Sequence, residues 1–498
     1  MNVNPITRLD YPDLDVIRVE DTYYMVSTTM HFMPGCEILQ SFDLVHWEHV
    51  TYVYETLDHT DAQQLKSGQN IYGQGMWAAS LRYHEGRFYI CFVANDTRKT
   101  YLYTSEKIDG PWKKQLIEGF YHDGSLLFDE DGRNYIVYGN DEIWITELNE
   151  DLTAPKKDGL HRLLVSDHKN PELGYEGSHI QKINGYYYIF LVHSLRDRWM
   201  RTEACFYSDS LEGEFTGGDV LCDDRGYCGQ GVAQGGIVDT PDGKWYAMLF
   251  QDSGAVGRIP ILLPVTWKDH FPFFGQNGHV PEEIEVHSTR PGYIYQPLVG
   301  SDDFCNGLLP RWQFNHDPDP RYYHLDALQG TYTITTREVC TELTQAVNTL
   351  TQRMSYPSCA AEVTVDASAL KEGDVAGLCA FQGCYAAVGI TKHHGKYEVL
   401  MLDKKEDGIL DMTEGTVVES HQMDFRLEAD FCNMKDEARC YYRVNKGDWL
   451  PIGTVHKLYF KLDHFTGCRF GLFCYAAEET GGSACFRDFK YYDVDEIS

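Results

Sequence analysis

Glu176-Gly-Ser-His-Ile180, followed by the turn Asn184-Gly185 and then Tyr187-Tyr188, is the stretch that decides the fold, because the chain repeats it. The other copies are Asp13-Leu-Asp-Val-Ile17 with Tyr23-Tyr24, Trp77-Ala-Ala-Ser-Leu81 with Phe88-Tyr89, Asp123-Gly-Ser-Leu-Leu127 with Tyr135, and Gln234-Gly-Gly-Ile-Val238 with Trp245-Tyr246. In four copies the leading residue stands 12 positions before the aligned Tyr, and in the first copy 11 before. Successive leaders are 46 to 64 residues apart, too long for helical hairpins but suited to a four-stranded propeller blade with its loops. Each copy reads as a β-hairpin, since Gly after Asn or Asp supplies the positive φ of a tight turn, as in Asn184-Gly185 and Asp242-Gly243. The expectation is a five-bladed β-propeller. A sandwich with incidental hairpins would have no reason to keep the copies in one register.

Three of the five leaders, Asp13, Asp123 and Glu176, are carboxylates. Equivalent positions on equivalent blades face one axis, so the repeat brings these acids together. The surroundings favour a neutral partner. With 43 basic and 75 acidic residues the formal charge is −32, which disfavours nucleic acid and anionic membrane and suits a sugar. No apolar run is long enough for a transmembrane helix. The first residues lack a basic-then-apolar leader, so a cytoplasmic location is expected. The 15 cysteines are odd in number and singly scattered, as at Cys91, Cys205, Cys379 and Cys474, and read as reduced core thiols.

The repeat stops before residue 300. Arg258–Trp267 reads as a closing strand, 269–278 as a Gly/Pro/Phe-rich loop, and 290–297 as an extended linker. The expected division is a catalytic propeller over 1–297 and a second domain over 301–498. The latter alternates strand-like segments such as Tyr332–Thr335, Ala361–Val365, Ala386–Ile390, Tyr397–Met401 and Arg469–Phe473 with Gly-rich turns. That pattern is of a β-sandwich.

With these pieces in place, the chain resembles family 43 glycoside hydrolases, the β-xylosidases and α-L-arabinofuranosidases. The resemblance is carried by Tyr11-Pro-Asp-Leu-Asp-Val-Ile-Arg-Val19, Tyr23–Thr28 with Pro34-Gly35, Ser41-Phe-Asp-Leu-Val-His-Trp47, Trp77–Tyr83, Asp123-Gly-Ser-Leu126, Glu176-Gly-Ser-His179 and Gly257-Arg258. It covers essentially the whole chain and implies a concanavalin-like form for the sandwich. It also implies roles: Asp13 as general base, Glu176 as general acid, Asp123 as the residue that orients the acid and tunes its acidity. Asp15 lies two residues beyond Asp13 and faces the same side; the motif match selects Asp13.

Independently of the family, inverting hydrolysis needs a protonated carboxyl at the leaving oxygen. It also needs a carboxylate about 6.5–9.5 Å away that activates water. Around the acids, Trp77 and Phe32 are candidate sugar walls, His31 lines the same entrance, and Arg258 is a candidate donor to a hydroxyl or to a carboxylate of the trio. Leu14 and Ala79 stand where the family pattern has Pro. Gln234 stands where many members have His near a central metal, and Gln is the poorer ligand for many metals. No cofactor is required by the chemistry, and family precedent alone keeps calcium open. The expected activity is exo-acting, inverting release of terminal L-arabinofuranosyl or D-xylosyl units from arabinoxylan- or xylan-derived oligosaccharides, with a slight lean to arabinose from Asn70–Asp96. A silent sugar-binding propeller and a glycoside phosphorylase are the alternatives. The latter lacks cations, Arg258 being the one obvious candidate in the repeat cores. A homo-oligomer stays open.

Overall fold

The computed structural model describes residues 2–493 and is all-β; among the described residues only four short 3-10 turns interrupt the strands. Five four-stranded antiparallel sheets come first. Their leading strands are Asp15–Val19, Met76–His84, Ser125–Phe128, Glu176–Ile183 and Val232–Asp239. Each leading strand touches that of the next blade, and the fifth touches the first, closing the ring. The turn that reveals the repeat behaves as its chemistry requires: Asn184 and Gly185 take φ of 50° and 85°, joining the paired residues Ile183 and Tyr186.

The register of the leaders has a structural cause. The ladders between the first two strands of blades two, four and five shift at Met76/Ala79, Glu176/His179 and Ala233/Gly236. Such bulges turn the strand start out of the pleat and re-aim its side chains. Asp13, Asp123 and Gln234 adopt left-handed backbone, with φ of 50°, 48° and 63°.

The fifth blade corrects one expectation. Arg258–Lys268 is its third strand, and Phe271–Phe274, within the expected loop, is its outermost strand. The N-terminal strand Asn2–Val3 pairs with Glu283–Ile284 outside the blades. Asn4 then ties it to blade five, donating to the carbonyls of Leu262 and Pro281 and accepting from the Leu262 N–H. Segment 290–297 runs along blade one, where Tyr295 accepts the Phe42 N–H and Arg290 pairs with Asp21.

Beyond residue 300 two antiparallel sheets pack face to face around Trp312, Leu350, Val363, Leu378, Phe425, Phe470 and Phe486. The two parts are fused. Propeller residues Ala255, Val256 and Ile259 lie in the same apolar core, and Phe32–Met33 forms the edge strand of a sandwich sheet, paired with Phe314–Asn315. A buried ion pair pins the seam: Arg353 bonds Glu37 at 2.8 Å and covers the Tyr11 ring at 4.1 Å. Cys91, Cys205, Cys379 and Cys474 are buried thiols, and none of the cysteines is disulfide-bonded.

Candidate active site

Asp13 lies at the mouth of blade one with its carboxylate held by three donors from different places. Arg258 Nη1 bonds Oδ1 at 2.9 Å, Gln234 Nε2 bonds the same oxygen at 3.0 Å, and Thr28 Oγ1 bonds Oδ2 at 2.7 Å. Arg258 is itself buried. Its N–H rests on Asp10 at 2.7 Å and its guanidinium lies 4.2 Å from the Phe465 ring centre. These contacts leave the base candidate as an acceptor in one orientation.

Asp123 and Glu176 form a second group with His122, their nearest ligand-type atoms all within 4.8 Å of one another; Asp13 stands outside it. Asp123 is buried and accepts the Gly177 N–H at 2.9 Å, which fixes the residue beside Glu176. Burial, reinforced by the charges of Glu176 and Asp13, raises Asp123 to about 6 in spite of His122. For His122, burial alone would lower the imidazole. The Asp123 and Glu176 carboxylates outweigh it and carry the ring to about 9, so it is a cation at neutral pH. Glu176 is only half-buried and reaches the opening, accepting from Asn140 Nδ2 at 2.9 Å.

Asp15 serves a different purpose from its neighbour. Arg82 and His179 bind it at 2.7 and 3.1 Å and, against the cost of burial, hold it down at about 2. It is a fixed anion that ties the leading strands of blades one, two and four together beneath the site.

Trp77 flanks the acids as expected, its ring 5.9 Å from His122 and 5.8 Å from Phe465. Arg258 Nη1 and Gln234 Nε2 both donate to Asp13, so both position a carboxylate. Phe32 and His31 require correction. Phe32 is fully buried in the seam, with the Arg469 guanidinium 3.5 Å from its ring centre. His31 is equally buried among Phe32, Tyr72, His316 and His464. Neither presents surface to a sugar, because the edge strand carrying Phe32 is claimed by the sandwich.

A second aromatic beside Trp77 comes from the sandwich. The strap between strands Leu450–Lys457 and Arg469–Ala476 carries Phe460 and Phe465 over Arg258, and the Phe465 carbonyl accepts from Arg258 Nη2 at 3.4 Å. Asp10 anchors its far end by accepting the Gly467 N–H at 2.8 Å.

Buried acids on a propeller axis, a cationic clamp and aromatic walls are what sugar hydrolysis requires, and comparison with known proteins agrees. The model for glycosyl hydrolases family 43 matches residues 3–272. The chain belongs to that family. Residues 301–492 match the beta xylosidase C-terminal concanavalin A-like domain. A beta-xylosidase of Formosa agariphila is 27% identical over 99% of this chain and 89% of its own length. A solved structure described as a bifunctional GH43-CE of Bacteroides eggerthii is 42% identical with a TM-score of 0.93. It matches all of this chain, which spans 64% of that longer protein. A family 43 enzyme engineered to show both endo-xylanase and exo-arabinofuranosidase activity is 27% identical over 99% of each chain, with a TM-score of 0.86.

Several functional groups of this hydrolase escape a reading of its sequence. His122 sits next to a leader yet gives no periodic signal. Asn140 and Thr28 reach the acids from second strands and loops. Arg201 is a second buried cation: it bonds Asp252 at 2.7 Å, and Asp252, Glu176 and Asp13 favour its charge against burial. Alternation in Arg201-Thr-Glu203 was the available clue, placing two ionisable residues on one face of a buried strand. At the fifth-blade position where family precedent would place a metal ligand, Gln234 donates its amide Nε2 to Asp13, whereas calcium takes about six to eight oxygen ligands.

Proposed function

We propose that this family 43 hydrolase is an exo-acting, inverting glycosidase that removes terminal L-arabinofuranosyl or D-xylosyl units from arabinoxylan- or xylan-derived oligosaccharides. The observation that carries the reading is the separation of two carboxylates into unlike surroundings. Asp13 is fully engaged by donors, and Glu176 is half-open at the pocket mouth beside Asp123.

In this reading Glu176 gives its proton to the glycosidic oxygen as the bond to the anomeric carbon breaks. Asp13 takes a proton from the water that attacks the opposite face. Asp123 orients the acid through the Gly177 N–H. The His122 cation sits 3.5 Å from the nearest oxygens of Asp123 and Glu176, where it offsets the charge that Glu176 acquires on giving up its proton. Phe465 packs against Trp77 beside the acids, and the strap that carries it crowds the approach to them, which favours a chain end over a chain interior. The names of the relatives, beta-xylosidase and non-reducing end alpha-L-arabinofuranosidase among them, support both pentoses as candidates.

The test is hydrolysis of p-nitrophenyl α-L-arabinofuranoside and β-D-xyloside. The wild type is expected to cleave at least one of them, and Glu176→Ala to lose about 10³-fold or more in kcat on a natural xylo- or arabino-oligosaccharide, whose leaving group needs the proton. An unchanged rate in that variant would remove Glu176 from the mechanism. Cleavage of neither glycoside by the wild type would remove the pentose assignment.

A further inference from the structure

Glu203 lies on the third strand of blade four, Arg201–Ser208, and is fully buried. Its Oε2 accepts the backbone N–H of Gln234, in blade five, at 2.7 Å. Its Oε1 has no hydrogen-bond partner among the described residues, and burial pushes the carboxyl well above the usual carboxylate range, which favours its neutral form. Burying such a group with one bond is costly, which calls for an account of what that bond does.

The bond lands on an exposed weakness of the fold. Gln234 falls in the ladder shift between Ala233 and Gly236, so its N–H has no place in the sheet. Its φ of 63° costs a non-glycine residue about 1 kcal/mol or more. From that strained backbone the side chain crosses Gly177, whose Cα leaves no room for a Cβ: one would lie 2.7 Å from Gln234 Cγ. It ends on Asp13 Oδ1 at 3.0 Å. Gln234 therefore spans the residue next to Glu176 and the carboxylate of Asp13, the two sides of the reaction.

We propose that Glu203 is a positioning residue for hydrolysis: by accepting the Gln234 N–H it fixes the bulge from which Gln234 holds Asp13 in line with Glu176. This rests on Asp13 being the general base. Glu203 acts through one oxygen as an acceptor, so an amide carbonyl can replace it. Small displacements of a base are expensive, with about 1 Å costing on the order of 100-fold in rate.

The experiment measures kcat and KM on an aryl pentoside for Glu203→Gln, Glu203→Met and Asp13→Asn, and for Glu203→Met combined with Gln234→Leu. Glu203→Asp, one methylene short of the Gln234 N–H, replaces the Met variant if that variant does not fold. Glu203→Gln is expected within about 2-fold of wild type. Glu203→Met is expected to lose roughly 10- to 100-fold in kcat with KM changed less than about 3-fold. In the Gln234→Leu background the Met change is expected to cost less than about 2-fold more, because the lever it supports is gone. A Met variant with wild-type kcat, an equally damaged Gln variant, or fully additive losses in the double variant would each overturn the inference. An active Asp13→Asn would instead overturn the base assignment, whatever Glu203 does.

Discussion

Asp13 and Asp15 are two residues apart, and their partners give them opposite employment. Asp15 is locked beneath the site by Arg82 and His179, whereas Asp13 faces the pocket between Arg258, Gln234 and Thr28. Replacing Arg258 by Met should leave Asp13 without its cation and lower kcat about 100-fold with a small change in KM, read by steady-state kinetics. His122 gives a prediction in pH. Its imidazole is raised in the folded protein from 6.5 to about 9, so folding binds its proton more tightly. The stability it contributes is complete below about pH 6.5 and disappears as pH rises through about 9. Thermal melts of wild type against His122→Gln should differ most near pH 6.5, converge above pH 9, and differ less again below about pH 6 as Asp123 takes up its own proton. At the scale of single residues the leaders were legible because turn chemistry and register are local. Phe32 and His31 were not, because their burial is decided by Phe314–Asn315, far along the chain.

At the scale of elements, the ring of leading strands brings acids from blades one, three and four to one mouth, and the strap adds an aromatic side to it. The strap belongs to the sandwich yet its Phe465 lies against both Trp77 and Arg258. Phe465→Ala should raise KM about 10-fold and weaken the clamp on Asp13, with melting little changed, since the ring is only half-buried. Kinetics on a xylobiose-sized substrate checks this. The blades were readable from hairpin signals spaced at a blade's length. The outermost strand Phe271–Phe274 was hidden because Gly and Pro beside it read as loop, and the strap carried no signal that it crosses between domains.

At the scale of the whole molecule, a shared apolar core, a shared sheet and the Arg353–Glu37 pair make propeller and sandwich one folding unit. Breaking that pair with Arg353→Met leaves Glu37 buried without its main partner and should cost about 3–5 kcal/mol, seen as one cooperative calorimetric transition moved to lower temperature. Separate transitions for the two parts would contradict the shared core. The same unity delivers Phe465 to the site where Asp13 and Glu176 are proposed to act as base and acid. The most direct test of that arrangement is the anomer first released, followed by proton NMR during hydrolysis of a β-D-xyloside or α-L-arabinofuranoside. The account predicts the anomer opposite to that of the substrate, appearing before mutarotation. First release of the same anomer would show a covalent nucleophile and contradict the roles given to Asp13 and Glu176.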